Sequence, residues 1–215
     1  MKDIAVKKLR PLSVALGAVV LAVSGCSAAT SGPGTAGPTP GATSSAATTA
    51  PTTAPTTGWE LDTRGGAERI KAAGLPVLNM EGAAEHFHAH LDVFVDGKPV
   101  AVPADIGFSF SAAGQPDGIS ALHTHDESGI IHIEAPAAGD TYTLGQILTE
   151  WGVLDGTGKP GTAHSGISDW TVAVNGAKQD GPAQAVVLKA HDEIVLFHGT
   201  APDPLPATFT FPAGV

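Results

Sequence analysis

Two short stretches hold most of the side chains that could do chemistry. His86-Phe87-His88-Ala89-His90 sets three imidazoles at alternate positions, and His123, His125 and His132 add three more, followed by Glu134. A neutral imidazole presents a nitrogen lone pair, so such a grouping suits zinc, copper, nickel or iron. Alternate residues on a strand stand about 6.6–6.8 Å apart, close enough for two rings to converge on one ion above a sheet. His86 and His90 are then about 13 Å apart, too far to share an ion on a regular strand. His88 and His90 are the expected pair, with His86 as an outer or second-site ligand. If Asp126 to Gly129 form a loop, His123 falls opposite His132 at a β-carbon separation of about 4.5–5.5 Å, and His125 completes a three-histidine group. Glu134 shares the face of His132. It is expected either to orient a ligand through a hydrogen bond or to act as a base on metal-bound water.

The rest of the composition narrows the chemistry. The chain has 215 residues, nine His, one Cys and two Met, which leaves no thiolate zinc site and no thioether copper(I) site. Asp126 and Glu127 read as turn formers and are too few for a calcium or magnesium cage. His164, His191 and His198 are not expected as ligands. No Gly-x-Ser-x-Gly elbow, phosphate loop or dinucleotide fingerprint is present. The net charge of -10 makes nucleic acid an unexpected partner, since phosphate binding needs clustered Lys and Arg.

The elements that must position the histidines are mainly strands. Phe87, Ala89, Leu91, Val93 and Val95 alternate with the histidines, so the first stretch is a strand with one buried face. Asp96-Gly97 predicts a hairpin that sets Val100 and Val102 opposite Val93 and Leu91, with Pro99 and Pro103 marking an edge. A second hairpin turns Leu122, Thr124, Ile131 and Ile133 inward and its histidines outward. Thr143-Leu144-Gly145-Gln146 is a capping box; Leu144, Ile147, Leu148 and Trp151 follow at helical spacing, and Gly152 ends the helix. A short helix is expected over 65–74, with strands at 170–174, 186–188, 193–198 and 208–211. The expected fold class is α+β, mostly β, with antiparallel hairpins and a sheet packed by one main helix.

The chain divides into three parts. Lys2, Lys7, Lys8 and Arg10 precede an apolar run from Leu12 to Val23, too short for the ~20 residues of a membrane span and patterned as a signal peptide. Val23-Ser24-Gly25-Cys26 resembles the lipobox of bacterial lipoproteins. That likeness implies cleavage before Cys26, lipid on its thiol, and a mature protein held outside the cytoplasm on the cell membrane by the lipid alone. Residues 26–57 are almost wholly Ala, Thr, Ser, Gly and Pro and are expected to be a disordered tether, while 58–215 form one globular domain.

Two further resemblances concern the globular part. Thr143-Leu144-Gly145, Leu148, Trp151-Gly152-Val153, Val174-Asn175-Gly176, and Leu188-Lys189, Asp192, Ile194 and Leu196 are similar to the C-terminal β-grasp domain of transcobalamin-like proteins. This implies a β-grasp-like sheet and not cobalamin binding. The histidine stretches resemble those of a group of His-rich secreted or lipid-anchored bacterial proteins, a likeness that implies no particular activity. The cupin pattern, with Glu four residues after His-x-His, is not met, because Phe94 and Gly129 stand there.

Three functions fit. The first is a lipid-anchored protein that binds a divalent transition metal, zinc or copper. The second is a hydrolase-like enzyme with three histidines on the metal and Glu134 as base, and the third is a metal-free interaction module. Binding ranks ahead of catalysis. A filled ligand set without an adjoining cleft would favour the first, an open position facing a cleft the second, and imidazoles too far apart to share an ion the third.

Overall fold

A computed structural model describes residues 57–215; the signal peptide, Cys26 and the tether expected before them lie outside the described residues. The chain runs α1 (Gly66–Ala72), β1 (Glu85–Val95), β2 (Lys98–Val100), β3 (Phe108–Phe110), β4 (Pro116–Ile119), β5 (Leu122–His123), β6 (Ile130–Ala135), α2 (Leu144–Trp151), β7 (Thr171–Val174), β8 (Ala177–Lys178) and β9 (Glu193–His198). The fold is α+β and mostly β. One mixed sheet has the order β5-β6-β1-β9-β7-β8, with β2 paired to the far end of β1, and β3 and β4 form a small second sheet. At its centre β1 and β9 run parallel, whereas β1–β6, β5–β6 and β7–β9 are antiparallel.

Alternation explains which face is which. Ala89, Leu91 and Val93 of β1, Ile131 and Ile133 of β6, and Ile194 and Leu196 of β9 enter one core with Leu144, Ile147, Leu148 and Trp151 of α2. Each such isoleucine or leucine contributes roughly 1.5–3 kcal/mol by leaving water. Trp59 closes this core, its ring 5.6 Å from those of Trp151 and Trp170, while the Trp151 indole N–H donates to its carbonyl at 2.9 Å. The capping box holds α2 in place: the Thr143 N–H donates to Gln146 Oε1 at 2.9 Å.

The opposite face of the sheet is where the histidines stand, and it is shared. Its β9–β7 part buries Val195, Phe197 and Ala173, covered by Phe94, Ala201 and Leu205. The β1–β6–β5 part is given over to imidazoles. Several local expectations change. Val93 does pair with Val100, but β2 stops there and Val102 is buried in the core outside the ladder. Residues 186–188 carry only an isolated bridge, Thr143 with Val187, because the chain turns under α2 there. Residues 208–211 are not a strand; they lie as an irregular strap on the histidine face.

Candidate metal centre

Register builds the site. On the β1–β6 ladder His86 pairs with Glu134 and His88 with His132, and on the β5–β6 ladder His123 pairs with His132. Three adjacent strands therefore bring His88, His132 and His123 into one row, at the roughly 4.7–4.9 Å spacing of a sheet. His125 lies just beyond β5, and its ring returns over β6 to 4.5 Å from that of His132 and 4.8 Å from that of His123.

Four donor atoms close a ring. His86 Nε2 stands 3.2 Å from His88 Nε2, which stands 3.1 Å from His132 Nδ1. Glu134 Oε1 is 3.4 Å from His132 Nδ1 and 3.3 Å from His86 Nε2. Donors at 2.0–2.1 Å from a tetrahedral ion are separated by about 3.3–3.4 Å, so these four atoms stand as ligands of one ion would. Protons satisfy such a ring poorly, since each N···N contact accepts one hydrogen and His88 Nε2 faces two nitrogens at once. A second group, His123, His125, His132 and Glu134, also has one ligand atom from each residue within 4.8 Å of the others.

His123 is the most constrained member. It is fully buried, and its Nδ1 lies 3.1 Å from the Ser120 carbonyl, which can only accept, so Nδ1 carries the proton. The other nitrogen, Nε2, is then a bare lone pair, and it is buried without a hydrogen-bond partner. Burial first, and His125 next, hold the His123 pKa down at about 3. The same causes in the same order put His132 at about 4, and burial followed by His86 lowers His88. These rings are kept neutral, the form that binds metal. Glu134 is raised by burial and then by Glu81 beside it.

His90 does not join this group. It sits one register step further on, opposite Ile130, and turns to β9. Its Nδ1 is hydrogen-bonded to Glu193 Oε2 at 2.7 Å and its Nε2 donates to the Ser128 carbonyl at 2.8 Å, while the ring stacks on Phe209 at 3.7 Å. The Ser128 carbonyl only accepts, so Nε2 carries a proton and offers no lone pair, while Nδ1 is taken up by Glu193; burial alone would lower the pKa of the ring, but Glu193 and Ser128 raise it. His90, Asp92 and Glu193 are close enough to be read as a metal group, yet 2.7 Å is a charged hydrogen bond and not a tetrahedral edge. The expected pairing of His88 with His90 is thus replaced by His88 with His86, because β6 supplies His132 and Glu134 at that end of β1.

Glu134 stands among the donors themselves and not behind them. His164 meets Asp155 at 3.2 Å, and His191 and His198 lie against Phe211 and Trp170. Glu81 is the residue that sequence reasoning missed. Its Oε1 is 3.8 Å from His125 Nε2, and its segment is pinned to β6 by the Gly82 N–H donating to the Glu134 carbonyl at 3.1 Å. No periodicity marks it. Phe108 of β3, also unforeseen, walls the site edge-on at 5.6 Å from His123 and 5.9 Å from His125.

A groove of about 840 Å³ lined by Trp59, Leu61, Val100 and Asp105, and a smaller one of about 330 Å³ lined by Glu81 and Phe108, have none of the histidine donors in their walls. No helix among the described residues is long and apolar enough to cross a membrane. Comparison with protein families, curated proteins and solved structures returned no match to the chain.

Proposed function

We propose that this protein binds a divalent transition metal, zinc or copper, through His86, His88, His132 and Glu134, with His123 and His125 extending the site. The observation that carries the reading is the closed ring of His86 Nε2, His88 Nε2, His132 Nδ1 and Glu134 Oε1 with sides of 3.1–3.4 Å. Binding is better supported than hydrolysis, because Glu134 Oε1 is already one of the donors and so is not free to act as a base on bound water. A metal-free module would leave the buried lone pair of His123 without a purpose.

The remainder of the reading rests on sequence. Lipid on Cys26 would place the domain outside the cytoplasm on a tether, where it would capture or buffer the ion. A β-grasp kinship with transcobalamin-like domains is supported by the strand order β6-β1-β9-β7-β8, its parallel central pair, and α2 across one face. The test is calorimetric titration of the chelator-treated full chain, in detergent, with zinc and with copper(II). Binding of either ion that falls more than tenfold in His88→Ala is expected. Equal binding by His88→Ala would remove the ring from the function.

A further inference from the structure

The donors outnumber the positions around one ion. Five imidazoles and a carboxylate lie in a continuous patch, whereas zinc takes four ligands in a closed site. They also divide. His86 and His88 meet at one end and His123 and His125 at the other, and each pair is completed by the same two residues, His132 and Glu134. The ends differ in origin, β1 for one and the β5 edge for the other, and each has its own exposed member: the His86 side chain is 55% accessible and that of His125 44%. Between them Glu134 is 9% accessible and His132 15%.

The geometry points to a two-ion centre, one ion held by His86, His88 and His132 and the other by His123 and His125, with the Glu134 carboxylate shared between them. This rests on the metal-binding reading and extends it. A carboxylate has two oxygens and can join two ions, which in such sites stand about 3.5–4 Å apart. The second ion has its own evidence in the buried, unpartnered Nε2 of His123, which the first ring does not use. Glu81, 3.8 Å from His125 Nε2, stands at the second end as a further oxygen donor.

The experiment counts ions by native mass spectrometry on the full chain loaded with zinc. Two zinc ions per chain are expected, falling to one in His125→Ala and to one in His86→Ala; both residues are half-exposed, so neither change touches the core. Loaded with copper(II), the wild-type chain is expected to give less than two spins of resonance intensity and a half-field signal, because a shared carboxylate couples the ions. One zinc in the wild type, abolished by either substitution, would overturn the two-ion centre and leave the metal-binding reading intact. No zinc or copper at all would overturn both. Two ions with two uncoupled copper spins would overturn the sharing of Glu134.

Discussion

A single proton decides what His123 can do. Because Nδ1–H is committed to the Ser120 carbonyl, the ring turns a lone pair and not a hydrogen toward the site. His123→Gln, which keeps a polar side chain there but loses that nitrogen, is expected to weaken metal binding at the β5 end at least tenfold by titration. The depressed pKa values also set the pH behaviour of the metal-free fold. An unfolded histidine binds its proton near pH 6.5, but His132 and His123 resist to about 4 and about 3. The unfolded chain therefore gains protons first as pH falls, and stability should decline from about pH 6.5 downward, a slope reduced in His123→Gln. Glu150 has the opposite sign. It is buried on α2 with both carboxyl oxygens unpartnered, and burial lifts it to about 8. The folded state then keeps a proton that the unfolded state releases above about 4.5, so the group destabilises as pH rises to 8. At pH 7 this amounts to roughly 3 kcal/mol, and Glu150→Gln should recover much of it in urea unfolding at pH 7 while changing little at pH 4.5.

Elements decide which histidines meet. The His123–His132 pairing was readable because only a short loop separates their strands, and the loop from 126 to 129 fixes the register. The β1–β6 ladder was not, since its partners lie 44 residues apart at His88 and His132. Alternation correctly set the histidines on one face, yet the choice of His90 over His86 depended on which strand lay beside β1, and periodicity carries no such information. The β3–β4 hairpin escaped notice because Phe108-Ser109-Phe110 is too short to show a period. It matters, since it covers His123. Gly107, at φ +80°, lets the chain entering β3 pass against β5: a β-carbon there would strike the Leu122 carbonyl oxygen and lie 3.0 Å from the His123 β-carbon. Gly107→Ala is expected to lower the melting temperature and weaken metal binding together, whereas Gly114→Ala, at an open turn, should spare binding.

At the scale of the molecule, the outer face of the sheet is part histidine cluster and part second core, and the C-terminal strap divides them. Ala201 and Leu205 cover Val195 and Phe197, and Phe209 lies on His90. Thr208-Phe209-Thr210-Phe211 alternates as a strand would, and a strand is expected there; the tail instead runs as a strap, because the outer face of β9 and β7 carries Ala173, Val195 and Phe197, which the tail buries. Ending the chain after Gly199 is expected to uncover that apolar patch and lower the melting temperature well beyond the effect of Phe209→Ala, as seen by circular dichroism. Bound metal should raise the melting temperature of the intact chain, by mass action on the folded state alone.

The most direct measurement is anomalous diffraction at the zinc or copper edge from crystals grown with the ion. An anomalous peak within about 2.0–2.2 Å of both His88 Nε2 and His132 Nδ1 is the predicted result. A peak bound elsewhere, or none with these two nitrogens still 3.1 Å apart, would contradict the account.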